Sequence, residues 1–251
     1  MPRFFVQSEQ IRGDRITLFG DDARHIAYSL RMAVGETVVI CDARSNEYTC
    51  TLTEFGDGYV CAAIDSVKEN QTEPPFEAHL FQGLPKGDKL DTIIQKAVEC
   101  GAREITPFES SRCVVHMKPE AEARKTERRG RIALEAAKQC GRGCLPVVHE
   151  TVTFDRVLEQ ASAFDLVLFC YEGEGTRSLK TVLGEVLGDF RQGSQTPRIA
   201  VIIGSEGGFS IDEAGRAEES GCCMVGLGPR ILRTETAGSF VLGCLVYEAE
   251  L

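Results

Sequence analysis

The alternation of apolar runs with amphipathic segments, which begins near Ala78, most constrains the fold. The runs AHLFQGL, REITPFES, DLVLFCYE, RIAVIIG and CMVGLG are typical of buried strands. Between the first two, Asp88 is predicted to cap a helix whose apolar side chains share one face: Leu90, Ile93, Ile94, Ala97 and Val98. Strands that alternate with helices predict an α/β domain with a largely parallel sheet, covered by helices on both faces.

Further helices are predicted between the later strands. They cover about 119–140, 178–190 and the segment IDEAGRAEESG, with a final helix closing the chain. Ser210 and Glu213 have the spacing of a capping box at the start of IDEAGRAEESG.

The first 73 residues follow a different pattern. The runs TVVICDA, EYTCTLTEF and YVCAAIDSV alternate polar and apolar residues, and turn residues at 44–46 and 56–58 separate them. This predicts a meander of antiparallel strands in a small barrel or sandwich. The segment ENQTEPPFE resembles a linker because Pro74 and Pro75 interrupt regular structure. We therefore predict two domains, 1–73 and 74–251.

Charge limits the kinds of partner. The 251 residues carry a net charge of -10, which argues against non-specific coating of nucleic acid. Cations nevertheless outnumber acids between Arg112 and Arg142. That excess is explained either by the solvated face of an amphipathic helix or by contacts to RNA. The N-terminus does not resemble a signal peptide and no apolar run is long enough for a membrane helix, so we expect a cytoplasmic protein that does not bind membranes.

Cysteine and histidine spacing does not favour a metal site. The eleven cysteines are scattered and mostly lie in apolar runs, as buried reduced thiols do. Cys140 with Cys144 and Cys222 with Cys223 lack the CxxC spacing of structural zinc sites, and the four histidines are dispersed. We therefore predict no metal.

Three glycine-containing loops follow predicted strands. They are YEGEG, SEGGFS and LGPRILRTET. Ligands of α/β sheets bind outside the carboxyl ends of strands, and glycine allows close backbone approach. A flat polar ligand held mainly by main-chain groups is therefore expected, although a glycine after a strand also occurs in plain tight turns. The absence of GxGxxG, GxxxxGK[ST] and GxSxG argues against dinucleotide enzymes, P-loop NTPases and α/β-hydrolases.

Four segments together resemble the RsmE family of 16S rRNA methyltransferases, which belong to the SPOUT class. They are LPKGDKLDTIIQKAVECGAREITPFESSRCVV, EAAKQCGR, IGSEGGFS and LGPRILRTETA. Their order and spacing agree with the family over the whole chain. Ser205 departs from the proline that is usual before the glutamate. The resemblance implies methylation of N3 of a uridine in 16S rRNA from S-adenosyl-L-methionine, with S-adenosyl-L-homocysteine as product.

The resemblance also implies an architecture and binding residues. It implies a PUA-like RNA-binding β-barrel, with His25 and Arg31 as RNA contacts, and a SPOUT domain with a deep trefoil knot that acts as a homodimer. The knot loops would bind the cofactor through Phe169, Tyr171, Glu172, Ile203, Gly204, Glu206, Gly207, Gly208, Leu227, Gly228, Ile231, Leu232, Thr236 and Ala237.

The reaction suggests roles for the charged residues of the last loop. Uridine N3 is protonated at neutral pH, and a nearby cation favours its ionised form. We predict Arg233 first and Arg230 second for this role, although either arginine could merely pair with Glu206 or Glu235. Glu235 either complements the helix dipole or accepts the N3 proton, and Glu206 would orient an arginine or the cofactor. Phosphate contacts are expected at Lys86, Lys89 and Arg142.

The sequence thus predicts an S-adenosylmethionine-dependent 16S rRNA uracil-N3 methyltransferase whose substrate is in the 30S subunit. Two alternatives remain. One is a non-catalytic RNA-binding or ribosome-assembly factor, and the other is a SPOUT methyltransferase that acts on another RNA base.

Overall fold

The computed structural model describes residues 1–42, 46–117, 119–190 and 196–250. The chain divides into two compact units. One contains Met1–Glu73 with Ala137–Leu145, and the other contains Pro74–Ala136 with Pro146–Leu251. Residues 137–145, which lie inside the predicted second domain, thus group with the N-terminal unit.

The N-terminal unit contains a six-stranded sheet in the order β1-β4-β5-β6-β3-β2. Its strands are β1 (Arg3–Phe5), β2 (Ile11–Arg12), β3 (Arg15–Phe19), β4 (Thr37–Cys41), β5 (Asn46–Gly56) and β6 (Tyr59–Glu69). Only β1 and β4 pair in parallel, so the predicted antiparallel meander β4-β5-β6 is confirmed. Residues 44 and 45 of the first predicted turn lie outside the described residues.

A short helix and an apolar core complete the N-terminal unit. Helix α1 (Gly20–Arg24) continues as one π-helical turn, His25–Ser29. Inward side chains alternate along the strands, as the period of a half-buried strand requires. They include Phe4, Ile16, Leu18, Ile40 and Leu52.

The larger unit contains an eight-stranded sheet in which every pairing is parallel. The order is β10-β8-β7-β13-β11-β14-β12, with β9 beside β8. The strands are β7 (Glu77–Gly83), β8 (Ala102–Glu109), β9 (Val147–Val148), β10 (Val152–Thr153), β11 (Leu166–Cys170), β12 (Arg177–Ser178), β13 (Arg198–Ile203) and β14 (Cys223–Gly226). The predicted parallel sheet is confirmed.

Six longer helices follow: α2 (Lys89–Glu99), α3 (Pro119–Cys140), α4 (Phe154–Ala161), α5 (Leu179–Phe190), α6 (Ile211–Glu219) and α7 (Thr234–Glu250). Helix α2 buries all five predicted apolar residues. At α6, Ser210 Oγ accepts from Glu213 N at 3.1 Å and Glu213 Oε2 accepts from Ser210 N at 2.9 Å, so the capping box is confirmed. Asp88 occupies the N-cap of α2, but its side chain makes no capping bond.

Helices cover both faces of the parallel sheet. Helices α4 and α6 pack on the face that carries Phe81, Phe169 and Ile202. Helix α7 packs on β7, β13, α2 and α5, and its Gly238 approaches Leu80 on the opposite face. All eleven cysteines are free thiols. Among the described helices, none has the length and apolar character needed to cross a membrane.

Candidate active site

A cavity of about 670 Å³ lies at the carboxyl ends of β11, β13 and β14, where the three predicted loops meet. The loops contribute residues 171–173, 203–208 and 227–235 to its lining. Its volume is in the range of about 300–1,000 Å³ that is usual for small-molecule sites. Thus the strand ends that carry glycine-rich loops form one pocket.

The loop 203–208 folds tightly back on itself. Gly208 N donates to Ser205 O at 2.9 Å, and Gly208 has a φ of +63°. A Cβ on Gly204 would lie 3.0 Å from Gly208 Cα, so no side chain fits there without displacement of the loop. The hydrogen bond between Gly208 and Ser205 therefore closes the turn, although residue 205 is serine instead of the proline that is usual in the family.

A buried hydrogen-bond network joins three segments at the base of the pocket. Thr234 Oγ1 donates to Gly204 O at 2.7 Å, and Gln82 Nε2 donates to Thr234 Oγ1 at 2.9 Å. Gln82 is fully buried and Thr234 is 6% exposed. The network ties the end of β7 to the loop after β13 and to the start of α7. Neither Gln82 nor Thr234 was predicted from the sequence as part of the site. A glutamine within the apolar run AHLFQGL nevertheless indicates a buried polar network, because a buried amide needs hydrogen-bond partners.

Lys89 bridges two acidic residues of the pocket. Its Nζ lies 2.9 Å from Glu206 Oε1 and 3.3 Å from Glu235 Oε2. Glu206 also accepts from Lys86 N at 3.1 Å. Lys89 was predicted to meet RNA phosphate, and the structure instead pairs it with both carboxylates. Glu206 is held by Lys86 and Lys89 rather than by an arginine.

These contacts stabilise the ionised carboxylates. Burial acts to raise the pKa of Glu206, but hydrogen bonds from Lys89 and backbone groups outweigh it, and the net pKa is lowered. The pKa of Glu235 is lowered by a backbone hydrogen bond at its own position, by Lys89 and by the charge of Arg233, which together outweigh the effect of burial. The hydrogen bond to Glu206 is the main cause that raises the pKa of Lys89. All three groups are therefore charged near neutral pH.

Arg230 and Arg233 line the same pocket, and both are exposed. Among residues that the structure describes, neither guanidinium forms a salt bridge. Lys89, rather than either arginine, forms the ion pairs with Glu206 and Glu235, and the charge of Arg233 also acts on Glu235. Two cations remain available to a ligand with developing negative charge.

Most residues expected at the cofactor line the pocket. They are Tyr171, Glu172, Ile203, Gly204, Glu206, Gly207, Gly208, Leu227, Gly228, Ile231, Leu232 and Ala237. Two do not. Phe169 is fully buried, with its ring centroid 4.3 Å from that of Phe209, because alternate residues of β11 point into the core. Thr236 is exposed outside the lining, since it is one position beyond the inward-facing Glu235 on α7.

The expected RNA contacts separate into exposed and buried residues. His25 and Arg31 are exposed on the N-terminal unit, and Arg31 has a φ of +53°. Lys86 is exposed, with its backbone N–H bound to Glu206. Arg142 is only 3% exposed, and its Nη2 donates to Glu73 Oε2 at 2.6 Å. The predicted phosphate contact at Arg142 is thus replaced by an internal ion pair.

Several cations of the basic segment are also paired. Arg128 forms a two-pronged contact with Asp91 at 2.6 and 2.8 Å. Buried Arg129 donates to Glu122 at 3.2 Å. These pairs reduce the positive charge that α3 presents to a phosphate backbone.

Both parts of the chain match known protein families. Residues 72–246 match the RNA methyltransferase domain family, and residues 13–65 match the RNA methyltransferase PUA domain family. Ribosomal RNA small subunit methyltransferase E of Bacillus subtilis is 33% identical over 255 residues, which cover 100% of this chain and 98% of that protein. The protein of the same name from Synechocystis is 31% identical, covering 96% of this chain and 75% of the relative.

A solved structure agrees in fold over nearly the whole length. Ribosomal RNA small subunit methyltransferase E of Neisseria gonorrhoeae, bound to S-adenosyl methionine, superposes with a TM-score of 0.82 at 28% identity. The match covers 98% of this chain and 97% of that chain. Fold, pocket and domain families thus define an RNA methyltransferase with a PUA domain. Within this class, the chain belongs to the ribosomal RNA small subunit methyltransferase E family.

Proposed function

We propose that this protein methylates N3 of a uridine in 16S rRNA, with S-adenosylmethionine as methyl donor. The observation that carries the reaction assignment is that Arg230 and Arg233 line the pocket without a salt bridge among the described residues, while Lys89 pairs with Glu206 and Glu235. A pocket arranged in this way retains free positive charge for a substrate that becomes anionic.

The pocket suits S-adenosylmethionine. Gly204, Gly207 and Gly208 line the pocket with main-chain groups only, and Ile203, Leu227 and Leu232 provide apolar surface. Ligand pockets commonly combine such apolar walls with a few placed polar groups. S-adenosylmethionine, when bound, supplies an electrophilic methyl group.

Arg233 and Arg230 favour the ionised uracil. A guanidinium near O2 or O4 stabilises the negative charge that spreads from N3 on deprotonation. Glu235 was considered as the proton acceptor, but a carboxylate whose pKa is lowered is a weaker base. We therefore assign the larger share of the rate enhancement to Arg233, with Glu235 chiefly holding Lys89.

Recognition of RNA is assigned to both units. The exposed His25 and Arg31 belong to the unit that matches the PUA family, and exposed Lys86 lies next to the pocket-lining Glu206. Such cations position a phosphate backbone without reading its sequence. We propose that the substrate is 16S rRNA within the 30S subunit, because a net charge of -10 is poorly suited to binding free RNA through charge alone. A ribosomal substrate implies a cytoplasmic location.

A homodimer and a knotted cofactor site complete the proposal. Ile231, Phe240 and Tyr247 are 82%, 42% and 67% exposed on the last loop and α7, and a second copy would cover such apolar side chains. The deep trefoil knot is supported by the strand order β13-β11-β14 and by the convergence of the three following loops.

The decisive experiment is transfer of tritiated methyl groups to undermethylated 30S subunits, with the product mapped by mass spectrometry. Arg233→Ala should lower kcat by about 10²–10³-fold, as loss of one stabilising donor does, and should leave S-adenosylmethionine affinity nearly unchanged by calorimetry. Arg216→Ala is the matched control, since this half-buried arginine of α6 pairs with Asp155 and lies outside the pocket.

Specific results would contradict the assignment. Full activity in Arg233→Ala rejects that residue's role. Methylation at another base favours the second SPOUT alternative, and absence of S-adenosylmethionine binding favours a non-catalytic assembly factor.

A further inference from the structure

Three side chains far apart in sequence converge at the edge of a second cavity in the larger unit. His149 Nε2 lies 2.6 Å from Glu104 Oε2, and His79 Nδ1 lies 3.8 Å from the same oxygen. One candidate ligand atom from each residue lies within 4.8 Å of the other two. None of the three residues lines the methyltransferase pocket. We propose that His79, Glu104 and His149 bind a divalent transition-metal ion of the zinc type.

The parallel sheet holds the three residues in register. His79 of β7 is paired with Glu104 of the neighbouring β8. His149 follows β9, which pairs with β8, and His149 N donates to Ile105 O at 2.9 Å. Backbone hydrogen bonds therefore fix all three Cα positions, and only side-chain rotations separate this arrangement from a metal-bound one.

The distances are close to those that a metal requires. Bonds of about 2.0–2.1 Å in tetrahedral geometry place ligand atoms about 3.3 Å apart. The observed separations of 2.6 and 3.8 Å lie on either side of that value. Shifts of less than about 1 Å would open the His149–Glu104 contact and close the His79–Glu104 contact to suit the ion.

The surroundings of His79 favour its use as a metal ligand. Its Nε2 lies 2.7 Å from Thr106 Oγ1, a contact that leaves Nδ1 directed towards Glu104. Metal-ligating imidazoles usually have such a partner on the second nitrogen. The ring is also stacked on Phe81, with centroids 4.0 Å apart.

The donor set selects the metal. Imidazole suits zinc, cobalt and nickel, whereas magnesium and calcium prefer sites made of oxygen. Two histidines and one glutamate leave a fourth position, which faces a cavity of about 460 Å³. The nearby Arg198 is held against Phe164, donates to Ala163 O at 2.9 Å and lies 3.9 Å from Glu77 Oε2, which offsets its charge.

Titration with Co²⁺ tests the site because its absorption reports the ligand types. The full chain, stripped with EDTA, should bind one Co²⁺ with visible d–d bands and without thiolate-to-metal charge transfer, and Zn²⁺ should displace it. His149→Ala and Glu104→Gln should each weaken binding more than tenfold, and Thr106→Val about tenfold. Zn²⁺ should raise the melting temperature of the wild-type protein but not of His149→Ala.

Controls keep the result independent of folding and of methyl transfer. His116→Ala is the matched control, since this exposed histidine faces Glu109 at 3.8 Å elsewhere in the same unit. If buried His79→Ala fails to fold, the more exposed His149 supplies the test. The proposal is overturned if wild-type protein binds no Co²⁺, if the spectrum shows only cysteine ligation, or if binding persists undiminished in His149→Ala and Glu104→Gln.

Discussion

Thr234 Oγ1 donates a hydrogen bond of 2.7 Å to the carbonyl oxygen of Gly204, thirty residues earlier in the chain. Thr234 begins α7, and Gly204 begins the loop after β13. Because Gln82 donates to the same hydroxyl, the two pocket loops are fixed to the sheet through a single buried oxygen atom. The loop after β13 and the start of α7 are thereby joined to each other and to β7.

Thr234→Val should weaken both stability and cofactor binding. The substitution keeps the side-chain shape but leaves Gly204 O and the Gln82 amide with less hydrogen bonding, at about 1–3 kcal/mol. Urea unfolding and calorimetry with S-adenosylmethionine measure the two effects. Thr236→Val, at the exposed neighbouring position, should change neither. Equal effects of the two substitutions would contradict a role for the network.

Gly83→Ala should displace the loop after β13. A Cβ at this position would lie 2.5 Å from Ser205 N and 2.9 Å from Gly204 C, both backbone atoms. The overlap should lower stability by about 1–3 kcal/mol and weaken S-adenosylmethionine binding. Gly215→Ala is the control, because the added methyl group has open space in α6 and should be neutral or stabilise by up to about 1 kcal/mol. Unchanged cofactor affinity in Gly83→Ala would show that the loop adapts.

Lys89→Met should change the pH dependence of cofactor binding. Lys89 lowers the pKa of Glu206 and of Glu235, so its removal raises both and leaves two carboxylates unneutralised. The loss of S-adenosylmethionine affinity on acidification should therefore occur at a higher pH than in the wild-type protein. Lys96→Met removes a surface lysine of the same helix that pairs with Glu99, and it should leave the profile in place. Superimposable profiles for Lys89→Met and wild type would contradict the proposed bridge.

Glu73→Gln should flatten the acid dependence of stability. Burial acts to raise the pKa of Glu73, but its hydrogen bonds with Arg142, Cys144 and Gly143 outweigh it, and the net pKa is lowered. A lowered pKa in the folded state means that the stabilisation is complete above the unfolded value of about 4.3 and is lost as pH falls through the folded value. Above pH 5 the variant should be less stable by about 3 kcal/mol, since the buried Arg142 no longer faces a carboxylate charge.

Urea midpoints between pH 2 and 7 measure this effect. Asp21→Asn removes an exposed carboxylate that pairs with Arg24 and should change the midpoints little. A Glu73→Gln variant whose midpoint falls as steeply with acid as wild type would contradict the assignment.

Local sequence patterns were sufficient to predict the main helices and strands, because these depend on short-range periodicity and spacing. Helix α2 and the capping box at Ser210 follow from periodicity and spacing within one helical turn. The parallel sheet follows from the alternation of strands with helices, which leaves strands no hairpin by which to pair. Because the strands are parallel, their carboxyl ends share one edge, and the three loops could be expected to form one site.

Contacts between side chains on different elements could not be predicted in the same way. The sequence suggested Lys89 and Arg142 for phosphate, but one bridges Glu206 and Glu235 and the other is buried against Glu73. Charge alone does not distinguish a cation with an internal partner from one without. Phe169 was predicted at the cofactor, but its side chain packs in the core, because a strand sends successive side chains to opposite faces and only packing shows which of them reach the pocket.

By itself the sequence determined the α/β class, the two patterns of strand pairing, the pocket-forming loops and the resemblance to a methyltransferase family, because these depend on short-range periodicity and on contiguous motifs. Only the tertiary structure decided that Lys89, rather than Arg230 or Arg233, forms the ion pairs with Glu206 and Glu235, and that His79, Glu104 and His149 meet. Those outcomes depend on sheet order and register, which join residues that are far apart along the chain at distances of a few ångströms.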